Sequence, residues 1–546
     1  MNNLFNIARS GLATGQAALS VVGNNLTNSM SGTYSRRDII IGESGGLATA
    51  RGFYGYGAQV VGVQRAYDAF TNHQLRGSIS TYHAFLGRQE QLADIDNMLG
   101  DESDNVSVSL NNLFKAMATM SGDAADPANR TAVFNSLGVL TQRYNDSGKR
   151  LTGLEKSTNT HIEQSVKDIN SFTGQLAEIN TQLERIQAQS GTPPADLLDQ
   201  RDDLLARLSQ QMGIEVTENR VSGRVDVTLA DGRPLVSGGK NFEFSASPSA
   251  SDPNKVIVSY VGSDGVASPV NETSFTKGRL AGLFKFRNED LAVARNELNQ
   301  IAFQMASRFN EQNGQGLDLD GNVGQDLFSL PEIKAIANAN NTSGSSLGNI
   351  NVTDYKAVNA EDYTIGFDGA NWTVKGADGR PITVDATGGT LKFDGLEIEI
   401  PAGSTFNAGD SFVVNPVAGA AEGISRAIKN GNEIAASDMA GGGVSNNKNL
   451  EAMLEIQNER LIGKATLTEA YTKLVGTIGS NARAVNSSLT SAKIDLDTKY
   501  DTKQALSGVD ANEETVNMQM FMQYYQANAQ ILETANTMFD ALLSIR

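Results

Sequence analysis

Apolar residues at both ends of the chain recur with the alternating three- and four-residue spacing of a coiled-coil seam. At the N-terminus the stripe runs through Phe5, Ala8, Leu12, Gly15, Leu19, Val22 and Leu26, with Leu4, Gly11 and Ala18 beside it. The only charged side chain between Met1 and Thr33 is Arg9. A last helix, predicted from Glu513 to Ser544, carries the same spacing at Phe521, Tyr525, Asn528, Leu532, Ala535, Phe539 and Leu542. From Thr515 onward its only charges are Glu533, Asp540 and Arg546. Two amphipathic helices of an ordinary core would explain one such stripe. These two lie at the chain ends, where helices fray, and lack charge on the opposite face as well. Gly11, Gly15 and Gly23 each cost the first helix about 1 kcal/mol relative to Ala. Both helices are therefore expected to order only when they meet each other and neighbouring molecules.

Between the ends the pattern changes period several times. Helices are expected over residues 66–99, 106–120, 137–189 and 197–212, with a helix start at Asp126-Pro127 and a break at residues 190–194. Alternating Val216, Val221, Val225, Val227 and Leu229, then Asp231-Gly232, open a β-rich block over residues 213–275. Helix returns at residues 280–310. A second β-rich block follows, with strands such as Trp372-Thr373-Val374 separated by Asp-Gly and Gly-Gly turns. Helix is expected again after Gly423, broken at Gly441-Gly442-Gly443 and continuing to the end. Trp372 reads as a core or interface residue of its strand.

This nesting predicts a multidomain α+β chain. Discontinuous, coiled-coil-like terminal helices (1–50 with 505–546) enclose an inner helical domain (51–212, 276–350 and 423–504). Two β-rich domains, 213–275 and 351–422, are inserted into it. The termini should lie together at one end and the β-rich domains at the other.

Composition narrows the chemistry. The 546 residues are 40% hydrophobic, enough for real cores, and carry a formal net charge of −18. That balance argues against nucleic acid and against electrostatic attachment to anionic lipid. No membrane-inserting segment and no Sec-type signal peptide is expected, because polar residues interrupt every apolar run before Asn28. The absence of Cys removes disulfides, thiolate nucleophiles and Cys-based zinc sites. His73, His83 and His161 stand alone, without a second His at ligand spacing. Asp318-Leu319-Asp320-Gly321-Asn322 opens like a calcium loop, but the positions for the loop Gly and Glu hold Val323 and Ser329. It reads as an Asx-rich turn. Asp199, Asp202 and Asp203 sit in the first half of a helix, where negative charge is favoured, or pair with Arg201 and Arg207. No phosphate loop or nucleophile elbow occurs, so neither catalysis nor a cofactor is expected.

The two ends also carry a resemblance. Ser10-Gly11-Leu12, Ala17-Ala18-Leu19, Asn24-Asn25-Leu26-Thr27-Asn28 and Gly32-Thr33-Tyr34-Ser35-Arg36 resemble the N-terminal signature of flagellar rod, hook and hook-associated proteins. Here Thr33 separates the Gly from the Tyr. Ser507-Gly508-Val509, Glu513-Glu514 and Gln523-Tyr524-Tyr525-Gln526-Ala527-Asn528-Ala529 resemble the matching C-terminal signature, with Ala511-Asn512 where Leu-Asp is usual. Internal stretches are similar to the hook–filament junction branch of that family: residues 63–70, Asp196-Leu197-Leu198-Asp199-Gln200-Arg201-Asp202, Gly282-Leu283-Phe284-Lys285-Phe286-Arg287 and Phe309-Asn310.

The resemblance implies a structural subunit that joins hook to filament, exported through the flagellar type III apparatus from a transient cytoplasmic pool. It implies assembly outside the cell, as a ring or short tube on the distal end of the hook. The hook protein would lie below and the third hook-associated protein above, and an export chaperone would bind the C-terminal helix. Phe5, Leu12, Leu19, Val22, Leu26, Asn24, Asn25, Phe521, Tyr525, Leu532, Phe539 and Leu542 are the expected assembly interface. Another axial protein, chiefly the hook protein, is the nearest alternative; a type III secreted effector or adhesin is a more distant one.

Overall fold

The computed structural model describes residues 2–49, 52–101, 105–439 and 443–544; the side chains of Asn2, Thr49 and Leu542 are also outside the description. Helix α1 (Asn2–Thr27) packs along the C-terminal helix despite its three glycines, so the two chain ends lie together. After α1 the chain forms a long antiparallel ribbon. Strand β1 (Arg37–Glu43) pairs with β4 (Ala58–Arg65), and β2 (Gly46–Thr49) pairs with β3 (Gly52–Gly55). Periodicity did not announce this ribbon, and the boundary expected after residue 50 falls at its tip. The reason is physical: neither face is fully covered, so no apolar–polar alternation is required.

The helical body begins with α2 (Ala69–Leu99), whose N-cap Asp68 accepts a hydrogen bond from the Thr71 amide. Helix α3 (Val106–Gly122) follows, and then α4 (Pro127–Ser190), 64 residues without interruption. Asp126 caps α4 with Pro127 in its first turn, and Gly191, at φ +77°, ends it. Helix α5 (Ala195–Gln211) turns back along α4. Helix α4 serves two cores. Its first half, with Leu137, Leu140 and Tyr144, packs among Leu92, Ile95, Phe114 and Phe309. Its second half, with Ile162, Ile169, Leu176 and Leu183, packs on α5 and on the first β-rich block.

That block has a four-stranded sheet, β5 (Glu215–Glu218), β6 (Val225–Thr228), β7 (Pro234–Ser237) and β8 (Lys240–Asn241) in sequential order. A three-stranded sheet adds β9 (Glu243–Pro248), β10 (Val256–Val261) and β11 (Ala267–Pro269). Asparagines on α4 seat both sheets by pairing with backbone amides as a neighbouring strand would. Asn170 donates to the Phe244 carbonyl at 2.8 Å and accepts from the Phe244 amide at 2.9 Å. Asn180 does the same with Val225, at 2.7 and 2.9 Å, and Asn159 bridges Asn254 and Val256. These amides satisfy backbone groups that burial would otherwise leave orphaned.

Helix α6 (Arg279–Lys285) passes through a π turn, Phe286–Leu291, into α7 (Ala292–Asn313). The second β-rich block packs on α7 and shares its core. Its five-stranded sheet runs in the order Ile336–Ala337, Ser411–Val414, Tyr363–Phe367, Trp372–Lys375, Pro381–Ile382. Trp372, half-buried, is packed against Phe367 and Phe406, with ring centroids 5.0 and 4.9 Å away, at the edge of this core.

The helix expected after Gly423 is corrected by the structure. Only α8 (Ala420–Gly423) forms there, and residues 424–439 and 443–447 are short strands, turns and irregular chain. They are held by pairings distant in sequence: Ser425–Arg426 with Phe328–Ser329, and Ser437–Asp438 with Gly316–Leu317. The buried Arg130 guanidinium adds bonds to the carbonyls of Gly431, Asn432 and Ile434. Gly441 and Gly442, expected to break that helix, lie outside the described residues. Helix α9 (Lys448–Glu455) leads to α10 (Leu467–Ser507), which starts with a Thr466–Glu469 capping box and packs along α2. Asp510 then caps α11 (Ala511–Leu543).

Candidate assembly interface

The contact between α1 and α11 uses a seam of small residues. Ala8, Gly11, Thr14, Gly15, Ala18, Val22 and Asn25 are buried, in a 3-4 rhythm one position round from the predicted stripe. The two stripes share Ala8, Gly15 and Val22. Close approach selects the small side chains. A Cβ on Gly11 would sit 2.1 Å from the Asn528 Oδ1, and one on Gly15 would sit 3.4 Å from the Tyr525 Cβ. The large predicted residues flank this seam. Leu12, Leu19 and Leu26 are half-buried, Asn24 is exposed, and Phe5 keeps 44% of its surface. On α11, Asn528 and Ala535 are buried and Phe521 and Leu532 half-buried, whereas Tyr525 and Phe539 are exposed. The Leu542 side chain lies outside the described residues.

Asn25, expected at the assembly interface, is instead the buried hub of the terminal unit. Its amide accepts from the Arg37 backbone N–H at 3.1 Å and from the Tyr34 hydroxyl at 2.8 Å. It donates to the Arg37 carbonyl at 2.9 Å and to the Glu514 carboxylate at 3.1 Å. One buried side chain thus ties α1, the start of the ribbon and the first turn of α11. Burial pushes the Tyr34 hydroxyl above its usual pKa; the Arg37 charge opposes this and Asp199 and Glu514 add to it. The hydroxyl therefore stays a donor at neutral pH. The ribbon is fastened to α1 where its two strand pairs meet: Gly57, at φ +105°, lies so close that a Cβ would come within 2.1 Å of the Ser10 Oγ.

Much apolar surface stays uncovered on this unit. On α11 it includes Val516, Met520, Met522, Met538, Phe539 and Leu543. Leu4, Phe5, Ala535, Met538 and Phe539 line a groove of about 430 Å³ between the free ends of the two helices. The ribbon exposes Ile40, Ile41, Leu47, Phe53, Tyr54, Val61 and Val63. Sequence reasoning missed the ribbon as a surface. Its one signal was composition: residues 44–64 contain three aromatics and a single charge, Arg51.

Elsewhere the polar groups serve the fold. Asp318 accepts from the amides of Asp320 and Asn322, at 2.9 and 2.8 Å, as an Asx turn. Asp203 pairs with Arg207 at 2.8 Å, and Asp202 with Arg201 at 2.7 Å. A cleft of about 670 Å³ lies where both β-rich blocks approach α7. Two of its cations are committed to ion pairs, Arg287 to Glu272 at 2.6 Å and Arg295 to Glu155 at 2.7 Å.

Known proteins resemble this chain from end to end. It is 37% identical over 557 residues to flagellar hook-associated protein 1 of Salmonella typhimurium, covering all of both chains. The chain belongs to that family. Flagellar hook-associated protein 1 of Escherichia coli is 35% identical over 554 residues, again covering all of both, and that of Bacillus subtilis is 23% identical over 98% of this chain and 97% of its own. The family profile for the flagellar hook-associated protein FlgK helical domain matches residues 92–328, and the flagellar hook-associated protein 1 D2-like domain matches residues 336–416. The flagellar basal body rod FlgEFG protein C-terminal profile matches residues 504–545, which places α11 among axial-protein ends. The flagellar hook junction protein FlgK from Burkholderia pseudomallei shares the fold, with a TM-score of 0.72 at 24% identity over 80% of this chain and all of its own. As a hook-associated protein the chain is a structural component of the flagellum. No helix among the described residues is long and apolar enough to cross a membrane.

Proposed function

We propose that this hook-associated protein is the structural subunit joining the flagellar hook to the filament, assembled outside the cell as a ring or short tube at the distal end of the hook. The observation that carries this reading is the pair of terminal helices: almost uncharged, held together by small residues, with their large apolar side chains half-buried or exposed. Phe5, Leu12, Leu19, Leu26, Tyr525 and Phe539 then serve contacts between copies, whereas Val22 and Asn25 hold the unit itself together. The exposed ribbon extends the same contact surface. Each Å² of apolar surface covered in assembly contributes about 25 cal/mol. Association and ordering costs oppose this, so subunits stay separate until a template is present.

The hook protein below, the third hook-associated protein above, a type III export route and a chaperone that binds α11 complete the proposal. Methionines exposed on α11 suit a helix that meets several partners in turn, because the thioether packs against varied shapes. The chain acts mechanically and not as a catalyst. Deletion of residues 509–546 tests the reading. The truncated subunit should remain folded and soluble, yet its strain should shed filaments and lose motility. Normal filaments on that strain would refute it.

A further inference from the structure

The terminal unit, made of α1, the ribbon and α11, touches the helical body very little. None of its helices or strands forms an extended packing surface with one of the body. Among the described residues, the ion pairs that join the two parts involve Arg37 and Arg65 of the ribbon stem and Asp199 and Asp202 of α5. Arg65 is 5% exposed and donates to Asp199 at 3.1 Å and to Asp202. Its guanidinium lies 4.5 Å from the centre of the Tyr67 ring. Behind it, Arg201 is 1% exposed and donates twice to Asp202, at 2.9 and 2.7 Å. Arg201 also donates to Glu218 on β5 at 2.7 Å and to the Gly223 carbonyl. Glu218 in turn accepts from the Tyr67 hydroxyl at 3.0 Å. Three parts of the molecule therefore converge on α5: the ribbon stem, the helical body and the first β-rich block.

We propose that this cluster is the elbow of the subunit, in which Arg65, held between Asp199 and Asp202 over the ring of Tyr67, sets the terminal unit at one angle to the body. The shape of the guanidinium makes the argument. Two carboxylates in its plane and a ring against its face fix an orientation as well as a distance. A lysine ammonium would supply the charge but no plane. Asp202 is itself immobilised by Arg201, so the socket does not follow the arm. A buried ionic cluster contributes little net stability for its cost of desolvation, and its recognised use is to specify one arrangement. Leverage gives that arrangement its consequence. Helix α1 extends about 39 Å at 1.5 Å per residue, so a tilt of about 5° at the elbow displaces its far end by about 3 Å.

The inference goes beyond the junction reading, and its test uses the dilute monomer, so either can fail alone. The chain has no cysteine, so Gln59→Cys on β4 and Arg220→Cys beside the cluster supply the only two spin-label sites. Pulsed dipolar spectroscopy on the full chain should give one narrow distance distribution. Arg65→Lys and Asp202→Asn should each widen that distribution at least twofold, with helical circular dichroism unchanged. Arg207→Lys, on an ion pair away from the ribbon stem, should leave it as it was. Should Asp202→Asn misfold, Arg65→Lys carries the test, because it keeps the charge. An Arg65→Lys chain with the original narrow distribution overturns the elbow, whatever its motility.

Discussion

Two glycines in the same helix should respond in opposite directions to the same substitution. Gly11 and Gly23 both lie in α1, and changing either to Ala adds about 1 kcal/mol of intrinsic helix propensity. At Gly23 the new methyl group meets nothing within 4 Å, so the gain should stand. At Gly11 it would fall 2.1 Å from the Asn528 Oδ1 and 2.4 Å from its Cγ. Asn528 is 7% exposed and its amide donates to the Tyr524 carbonyl at 2.8 Å, so it has little room to swing away. Overpacking of this kind costs about 1–3 kcal/mol. Comparison of the two variants cancels the propensity and leaves the clash. Gly23→Ala should therefore exceed Gly11→Ala in stability of the α1–α11 pair by about 1–3 kcal/mol, a factor of about 5 to 150 in opening. Hydrogen exchange of α11 amides in the full-length chain measures that difference directly. Gly11→Ala combined with Asn528→Ala removes the obstacle and should recover protection, and filament attachment with it. Equal protection in the two single variants would refute the close-approach account of this seam.

Asn25→Asp would place a second carboxylate beside Glu514, across a contact of 3.1 Å. The pair's proton affinity in the fold then rises above that of the unfolded chain. The penalty, about 2–4 kcal/mol at pH 7, is fully present above the raised folded pKa and fades as the pH falls towards the unfolded value. Exchange of α11 amides at pH 7 and at pH 5 should show recovery on acidification; a variant equally loose at both contradicts it. Asn180→Leu orphans the amide and carbonyl of Val225 and the carbonyl of Gly238, and should cost about 3 kcal/mol or more. Faster exchange at those amides in the first β-rich block, with the second unchanged, is the expected reading. Phe406→Ala removes a ring 4.9 Å from Trp372, the single tryptophan, and should weaken the second block by about 3 kcal/mol. Tryptophan fluorescence during urea unfolding reports this as a lower midpoint, and an unmoved midpoint would contradict the packing.

Legibility followed the range of the interactions involved. The helices α2, α3 and α5 stood in the sequence within a few residues of their ends, because a helix with one covered face must repeat its apolar positions every three or four residues. Asp126-Pro127 and Gly191 marked the limits of α4 for equally local reasons. Asp203–Arg207, an i,i+4 pair, could be read the same way. Segment 424–439 could not, since its strands pair with residues about a hundred positions away and a guanidinium from α4 secures its turn.

The sequence by itself determined that both ends are almost uncharged helices with coiled-coil spacing, and from them and the interior stretches it pointed to a flagellar axial protein. It did not determine which of two adjacent stripes on α1 faces its partner, because spacing ranks positions without knowing how closely the helices approach. Tertiary contact chose the small residues and left the larger ones outside. The same is true of Asn159, Asn170 and Asn180, which look like solvent-facing residues on α4 until the strand edges they clasp are brought to them. Asp199 looked like a charge near a helix start; only the fold carries Arg65 across 134 residues of chain to meet it.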